Sequence, residues 1–250
     1  MRLCVALLAV VIVAVPGCGG DDEPAKPRLT VSAAASLKGA FEDYAESVEA
    51  ATTRFSFAGS DELAAQIRQG VKPDLFAAAN TRLPEQLFAE GLVEKPVSFA
   101  GNRLVIAVPA DGEVSSIEDL SAAGVDLAVG AASVPVGSYT REALGRLPAA
   151  RRRAILANVR SEEPDAAGIV GKVAQEAADA GFVYATDVRA AGSKLRVVEL
   201  APRLRPKVTY AAAVVEGAKQ PDGARAFIAG LLRGDGRRAM RRAGFAPPPG

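Results

Sequence analysis

Apolar and polar positions along the chain follow two alternating patterns, short β-type runs and helical stripes. A run at residues 29–31 is followed by apolar residues that recur every three or four positions from Leu37 to Val48. This spacing predicts a strand and then an amphipathic helix with one buried face. The same order returns along the rest of the chain and favours α/β architecture with mainly parallel strands.

The remaining runs continue this alternation up to the C-terminal region. The predicted strands lie at residues 54–57, 73–78, 103–108, 127–129, 181–184, 195–198 and 208–215. The predicted helices lie at residues 61–69, 84–90, 166–178 and 221–233, begin at Ser116, Val136 and Ala149, and include a last helix that ends at Gly244. In the helix at 84–90, we expect Phe88 to face inward with Leu83 and Leu87.

Turns of small residues precede three of the helices, at Ser36, at Ser60 and at Val136. We expect Ser36 to cap its helix, where unpaired backbone N–H groups meet the positive end of the helix dipole. A hydroxyl beside small residues at such a place predicts a pocket for a small anion. In the alternative interpretation, Ser36 and Ser60 are plain N-caps that each stabilise a helix by ~1 kcal/mol.

The first residues have the features of an export signal. Arg2 is followed by an apolar run at 3–15, which is shorter than the ~20 residues that span a bilayer. The run ends in Val15-Pro16-Gly17-Cys18, which resembles the lipobox of bacterial lipoproteins, cleaved before the cysteine and acylated on its sulfur. We therefore predict a signal peptide at 1–17, lipidation of Cys18 and a polar tether at 18–28. The alternative is an ordinary secretory signal with an incidental cysteine.

The numbers of cysteines and charged residues narrow the possible kinds of protein and partner. Cys4 and Cys18 are the two cysteines of the sequence, so no disulfide framework is expected in the exported domain. The chain has 30 Lys and Arg and 29 Asp and Glu, and removal of Arg2 with the signal leaves it neutral. Since there is no basic tail, no nucleic-acid partner is predicted.

The sequence lacks most of the residues and motifs that carry catalysis. It has no histidine, which excludes Ser-His-Asp catalysis and makes most transition-metal sites improbable. Ser60 lies in Ala58-Gly59-Ser60-Asp61-Glu62, which lacks the second glycine of a nucleophile elbow. Binding is therefore favoured over catalysis, and neither a cofactor nor an enzymatic activity is predicted. A hydrolase that uses Ser60 with Asp61 or Glu62 is the less favoured alternative.

Five segments resemble the substrate-binding proteins of molybdate ABC transporters, over roughly residues 29–245. They are Ala33-Ala34-Ala35-Ser36-Leu37; Phe57-Ala58-Gly59-Ser60 with Leu63-Ala64-Ala65-Gln66-Ile67 and Pro73-Asp74-Leu75-Phe76; Gly101-Asn102-Arg103-Leu104-Val105; Val134-Pro135-Val136-Gly137-Ser138-Tyr139; and Asp179-Ala180-Gly181-Phe182-Val183-Tyr184-Ala185-Thr186-Asp187. Each segment alone is weak, but their order and spacing together are specific.

The resemblance implies a two-lobed periplasmic binding protein of type II-like fold. Each lobe would be a mixed, mainly parallel sheet flanked by helices, with a ligand cleft between the lobes. It places the first lobe at 29–108 and 210–250 and the second at 109–209, with hinges near Val108 and Thr209. The implied function is extracytoplasmic capture of molybdate or tungstate by a lipid-anchored monomer that delivers it to a membrane permease.

The resemblance also implies a set of oxyanion donors, with molybdenum bound only as the oxyanion. These donors are Ser36, Ser60, Val136, Ala166 and Tyr184. The segment before the fourth donor is one residue longer than the common pattern, so Asp165 or Ala167 are alternatives for that position. A tyrosine such as Tyr184, taken alone, is more often a core aromatic residue than a ligand.

Asp61 leaves the exact set of ligand-binding residues open, and the ligand itself has alternatives. Asp61 stands where the family often has a small hydroxyl residue, and because a carboxylate would repel a dianion we expect it to point outward. Another tetrahedral oxyanion such as sulfate is the alternative ligand. A surface lipoprotein that binds no ligand is a further alternative.

Overall fold

The computed structural model describes residues 26–48 and 51–248. The predicted signal peptide, Cys18 and most of the predicted tether lie outside the described residues. The strands in these ranges are β1 (Arg28–Ala34), β2 (Thr52–Ala58), β3 (Leu75–Ala78), β4 (Val97–Asn102), β5 (Leu104–Pro109), β6 (Leu127–Gly130), β7 (Val159–Glu163), β8 (Ala180–Tyr184), β9 (Leu195–Val198) and β10 (Val208–Val214). The helices are α1 (Lys38–Ala45), α2 (Ser60–Arg68), α3 (Arg82–Ala89), α4 (Pro135–Gly145), α5 (Ala149–Ala157), α6 (Ala166–Ala174), α7 (Ala185–Ala191), α8 (Pro221–Leu232) and α9 (Asp235–Arg242).

The strands form two five-stranded sheets. The first has the order β2-β1-β3-β10-β4, and the second has the order β7-β6-β8-β5-β9. Within the first sheet β10 runs against its neighbours β3 and β4, and within the second β5 runs against β8 and β9. The other pairs are parallel, as the alternation of strands and helices predicts.

Each sheet and the helices packed on it form a lobe. In the first lobe, α1 buries Ala40, Phe41 and Tyr44, and the Phe41 ring lies 5.4 Å from the ring of Phe227 in α8. In the second lobe, α4 and α6 cover β6 and β8. Because the first three strands of each sheet are parallel, their carboxyl ends meet at one edge, where the following helices begin.

The predicted lobe boundaries differ from the strand pairing. Residues 104–108 were assigned to the first lobe, but β5 pairs with β8 and β9 of the second sheet. Val208 and Thr209, predicted to belong to the second lobe, pair with Asn102 and Gly101 of β4. The first crossing thus lies at Arg103. The residues of β5 are apolar on both faces of the strand, and such a run would fit the interior of either sheet. Its hydrophobic pattern therefore does not identify the lobe to which it belongs.

Several predicted elements also differ from the structure. The predicted helix at Ser116 is a single 3-10 turn at Asp119–Ser121, because the Asp119 carboxylate accepts hydrogen bonds from the N–H groups of Ser115 and Ser116. Phe88 is 47% exposed instead of buried. The helix predicted at 166–178 ends at Ala174, shortly before Glu176 with a φ of 56°. The sequence reading missed β4, β7 and α7.

Candidate ligand-binding site

A small cavity lies between the two lobes, where strand ends of both sheets and the starts of helices meet. Its volume is about 20 Å³, slightly more than the ~10–15 Å³ that one water molecule needs. All five predicted donor residues line it: Ser36, Ser60, Val136, Ala166 and Tyr184. The remaining lining residues are alanines, Gly59, Val134, two prolines and Asp165, and none of the described lining residues is lysine or arginine. The site is therefore small, and its polar groups are neutral except for the Asp165 carboxylate.

Ser60 reaches the cavity from the start of α2. The residue at the N-cap is Gly59, and Ser60 is the first helical residue, so its hydroxyl does not cap the helix as the alternative interpretation assumed. Instead, Ser60 Oγ accepts a hydrogen bond of 3.1 Å from the Ala79 N–H at the end of β3. Because that bond uses an oxygen lone pair, the hydroxyl proton stays available to an acceptor in the cavity.

Ser36 lies at the end of β1, in a 3-10 turn at Ala35–Leu37 that leads into α1. The predicted N-cap role is wrong, because α1 begins only at Lys38 and no side chain caps the turn or the helix. The Ser36 Oγ lies 3.0 Å from the hydroxyl of Tyr210, and either atom can be the donor of this hydrogen bond.

Tyr184 supplies a hydroxyl from the second lobe at the end of β8. Its side chain is 1% exposed, and its hydroxyl oxygen has no hydrogen-bond partner among the described residues. Burial, with smaller contributions from Tyr210, Tyr139 and Asp187, raises the pKa of Tyr184 well above its usual value, so the hydroxyl keeps its proton. A buried donor without an acceptor costs ~1–3 kcal/mol, and a ligand oxygen in the cavity would satisfy it.

Asp187 lies directly behind Tyr184 in the first turn of α7. Its Oδ2 accepts a hydrogen bond of 2.9 Å from the Tyr184 backbone N–H. Burial raises the pKa of Asp187 to about 7, the Tyr184 N–H lowers it in part, and the charge of Asp165 raises it further. Asp187 thus orients the end of β8 while it titrates near neutral pH.

Val136 lies in the first turn of α4, next to Pro135 at the helix start. The first N–H groups of a helix have no intrahelical acceptor. In α4 the first hydrogen bond of the helix runs from the Ser138 N–H to the Val134 carbonyl, so the Val136 N–H precedes it. Gly137 is required beside Val136, because a Cβ at that position would overlap the carbonyl oxygen of Ala131. The close approach of α4 to β6 fixes the position of the Val136 N–H at the cavity.

Ala166 lies in the first turn of α6, where Asp165 is the N-cap. Asp165 Oδ1 accepts a hydrogen bond of 2.8 Å from the Gly168 N–H, so the cap leaves the N–H groups of Ala166 and Ala167 without intrahelical acceptors. Of the three candidates for the fourth donor, Asp165 and Ala166 line the cavity, whereas Ala167 does not.

The two lobes touch beside the cavity at Gly59 and Pro164. A Cβ at Gly59 would lie 2.5 Å from the Pro164 carbonyl oxygen, so the absence of a side chain permits this approach. Asp61 is half-buried in the first turn of α2 and is not among the lining residues. An acidic residue there favours the helix dipole.

The sequence reading missed Ala79, Tyr210 and Asp187 as neighbours of the predicted donors. Tyr210 lies in β10, and Ala79 directly follows β3. The apolar pattern of these strands carries no mark of a site, and both residues contact serines that are far away in the sequence. For Asp187 the sequence does contain a signal. It lies three residues after Tyr184, the spacing at which an acidic side chain at the start of a helix accepts from the backbone N–H of the N-cap residue.

In residues 26–48 and 51–248, no group of three or more Cys, Asp or Glu side chains is arranged to hold a metal ion. Over the same residues, none of the helices has the length and apolar character needed to cross a membrane.

Comparison with known proteins agrees with this geometry. The family model for bacterial extracellular solute-binding proteins matches residues 29–246. The molybdate-binding protein ModA of Mycobacterium tuberculosis is 34% identical, over 96% of this chain and 95% of its own.

Two solved structures share the two-lobed α/β fold. The periplasmic molybdate-binding protein of Azotobacter vinelandii has a TM-score of 0.79 at 18% identity, over 88% of this chain and 100% of its own. The sulfate-binding protein SubI of Mycobacterium tuberculosis has a TM-score of 0.77 at 16% identity, over 88% and 87%. The type II-like fold implied by the sequence is thereby confirmed, and the chain belongs to the family of bacterial extracellular solute-binding proteins.

Proposed function

We propose that this protein binds molybdate outside the cytoplasm and delivers it to the permease of an ABC transporter. The observation that carries the proposal is the Tyr184 hydroxyl, a buried donor without a partner among the described residues, which lines the cavity between the lobes. Four further neutral donors surround the same space: the Ser36 and Ser60 hydroxyls and the backbone N–H groups of Val136 and Ala166.

Neutral donors suit a buried dianion. Each N–H or O–H that faces a charged oxygen forms a charge-assisted hydrogen bond, which is about twice as strong as a neutral one. The starts of α4 and α6 add the positive ends of two helix dipoles. Asp165 adds a carboxylate among the lining residues, and its Oδ1 is already occupied by the Gly168 N–H.

A ring of fixed dipoles also provides selectivity. A rigid cavity is sensitive to the radius of the anion, and donor groups disfavour an anion oxygen that still carries a proton, because that proton needs an acceptor instead of a donor. Molybdate and tungstate are larger than sulfate and are fully deprotonated near neutral pH, whereas phosphate is not. We therefore place molybdate and tungstate together as ligands and sulfate as the alternative.

The relatives differ in how strongly they support molybdate as the ligand. The ModA relative at 34% identity favours molybdate, whereas the sulfate-binding neighbour at 16% identity shares only the fold. Ser60 with Asp61 remains the basis of the hydrolase alternative, but Asp61 does not line the cavity beside the hydroxyl. We propose a binding protein without enzymatic activity.

The proposal includes export and anchoring. Residues 1–17 would act as a signal peptide, and Cys18 would carry the lipid that holds a monomeric domain outside the membrane through the tether at 18–28. In a host that processes lipoproteins, radioactive palmitate should label the full chain and not the Cys18→Ala variant. Equal labelling of both would contradict the anchor.

Thermal unfolding of the chain from Gly19 onward tests the ligand. A ligand that binds only the folded state stabilises it by ~4 kcal/mol at a thousandfold excess over its Kd. Molybdate and tungstate should raise the Tm clearly, and sulfate at the same concentration should raise it much less. An equal shift with sulfate would favour the alternative ligand, and no shift with any of these anions would exclude oxyanion binding.

A further inference from the structure

Tyr210 is not among the residues that line the cavity, yet its hydroxyl determines what Ser36 can do. Tyr210 lies in β10, is 0% exposed, and its hydroxyl is 3.0 Å from Ser36 Oγ. A serine hydroxyl has a single proton. If Ser36 donated it to Tyr210, no proton would remain for a ligand, so the direction of this bond matters.

Asn102, at the end of β4, favours one direction of this bond. Its Oδ1 accepts a hydrogen bond of 2.8 Å from the Arg103 N–H, which sets the orientation of the amide group. The Nδ2 therefore faces the opposite way and donates to Thr186 Oγ1 at 2.8 Å and to the Tyr210 hydroxyl oxygen at 3.4 Å. An amide NH₂ cannot accept a hydrogen bond, so Tyr210 is the acceptor in this contact and its own proton is left for Ser36.

The Tyr210 hydroxyl retains that proton at ordinary pH. Burial is the largest cause that raises the pKa of Tyr210 well above its usual value, and the charge of Asp187 adds to it. The hydrogen bonds with Ser36 and Asn102 lower it only in part. The group is thus a neutral donor whenever the protein is folded near neutral pH.

We propose that Tyr210 is a positioning residue that donates its hydroxyl proton to Ser36 Oγ and thereby leaves the Ser36 proton free for the bound oxyanion. The proposal rests on the function proposed above. The hydrogen bonds then run in one direction, from Asn102 to Tyr210, from Tyr210 to Ser36 and from Ser36 to the ligand. In such a chain each bond polarises the next, so Ser36 becomes a stronger donor.

The same residues connect the two lobes. Asn102 belongs to the first sheet, and its partner Thr186 lies in α7 of the second lobe, two residues after Tyr184. The Tyr210 ring packs against the Tyr184 ring with centroids 5.7 Å apart at 64°. Tyr210 therefore lies between a donor of the first lobe and a donor of the second, and its contacts form when the lobes are together.

The experiment is a double-mutant cycle of Tyr210→Phe and Ser36→Ala in the mature chain, with affinity measured by calorimetry for molybdate, tungstate and sulfate. Tyr210→Phe should weaken binding of the preferred anion about tenfold, which corresponds to ~1.4 kcal/mol. In the Ser36→Ala background, the same substitution should change affinity less than about twofold, because the donor that it orients is gone.

Tyr44→Phe is the matched control. Tyr44 is also buried in the first lobe, and its hydroxyl donates to the Phe227 carbonyl at 3.3 Å, away from the cavity. This variant should bind like the wild type. Wild-type affinity in Tyr210→Phe would overturn the proposal, and so would a loss that persists undiminished in the Ser36→Ala background, since it would mark a merely structural role.

Neutron diffraction of the ligand-free protein separates this proposal from the proposed function. The map should show a deuterium on the Tyr210 oxygen that points to Ser36 Oγ. A deuterium on Ser36 that points to Tyr210 would overturn the relay even if molybdate binds. If wild-type protein binds none of the three anions, the proposed function fails, and this map still decides the direction of the bond.

Discussion

At the scale of single residues, the site contains hydroxyl groups that do not donate a hydrogen bond to another group of the described residues. Ser60 accepts from the Ala79 N–H, and Tyr184 has no partner among the described residues. The sequence identified both residues as donors, but for Ser60 it offered capping as the competing role. The actual partner, the Ala79 N–H, follows the end of β3, and no local pattern around Ser60 indicates it.

Replacement of Ser60 by alanine should separate affinity from stability. The variant loses a hydrogen bond to a charged ligand, which costs ~1.5–3 kcal/mol of affinity, while the unpaired Ala79 N–H costs ~1–3 kcal/mol of stability. Calorimetry and urea unfolding measure the two quantities. The exposed Ser138, two residues after Val136 and not in the lining, provides the control: Ser138→Ala should keep wild-type affinity. Unchanged affinity in a Ser36→Ala, Ser60→Ala double variant would place the ligand elsewhere.

Tyr184→Phe should change affinity and ligand-free stability in opposite directions. Without ligand, the substitution removes a buried hydroxyl that has no described partner, so the free energy of unfolding should stay equal or rise by up to ~1–3 kcal/mol. With molybdate, it should lower affinity because a charge-assisted hydrogen bond is lost. Urea unfolding with and without molybdate checks both. A variant that is less stable when empty and binds normally would show that Tyr184 is only a core residue.

The raised pKa of Asp187 predicts that the stability of the folded protein depends on pH. Its pKa is raised to about 7, from an ordinary value of 3.8, chiefly by burial. The folded state therefore holds this proton more tightly than the unfolded state, so its contribution to stability is fully present below about pH 4 and is lost as pH rises through 7. Asp187→Asn keeps an acceptor for the Tyr184 N–H and should flatten the fall in Tm between pH 5 and pH 7.5. An unchanged slope would contradict the assignment.

At the scale of elements, the site depends on helices that begin at the carboxyl ends of strands. The sequence predicted α2, α4 and α6, and small-residue turns before α2 and α4, because apolar stripes and turn residues are local signals. It missed β4 and β7, whose polar or small residues give no period-two pattern, and α7, which lies too close behind β8 to show a separate stripe. These elements are defined by tertiary pairing instead.

Gly59→Ala tests the approach of α2 to the second lobe. The added Cβ would lie 2.5 Å from the Pro164 carbonyl oxygen, so the lobes must move apart or strain by ~1–3 kcal/mol. We expect a loss of molybdate affinity of roughly tenfold or more with unchanged circular dichroism. Gly39→Ala in α1 has open space around its Cβ and should leave affinity unchanged. Equal affinities in the two variants would contradict the role of Gly59.

At the scale of the whole molecule, the chain crosses between the lobes at Arg103 and again between β9 and β10. Two connections of this kind permit a hinge motion that opens and closes the cavity. The sequence predicted two lobes and a cleft from resemblance but placed the first crossing near Val108. Only the pairing of β5 with β8 and β9 defines that boundary.

Crystallography of the mature chain with molybdate, recorded across the molybdenum absorption edge, shows directly whether the anion binds between the lobes. We expect one anomalous peak in the cavity. Oxygens of that anion should lie within hydrogen-bond distance of the Ser36, Ser60 and Tyr184 hydroxyls and of the Val136 and Ala166 N–H groups. A peak elsewhere, or an empty cavity at saturating molybdate, would contradict molybdate binding by these donors.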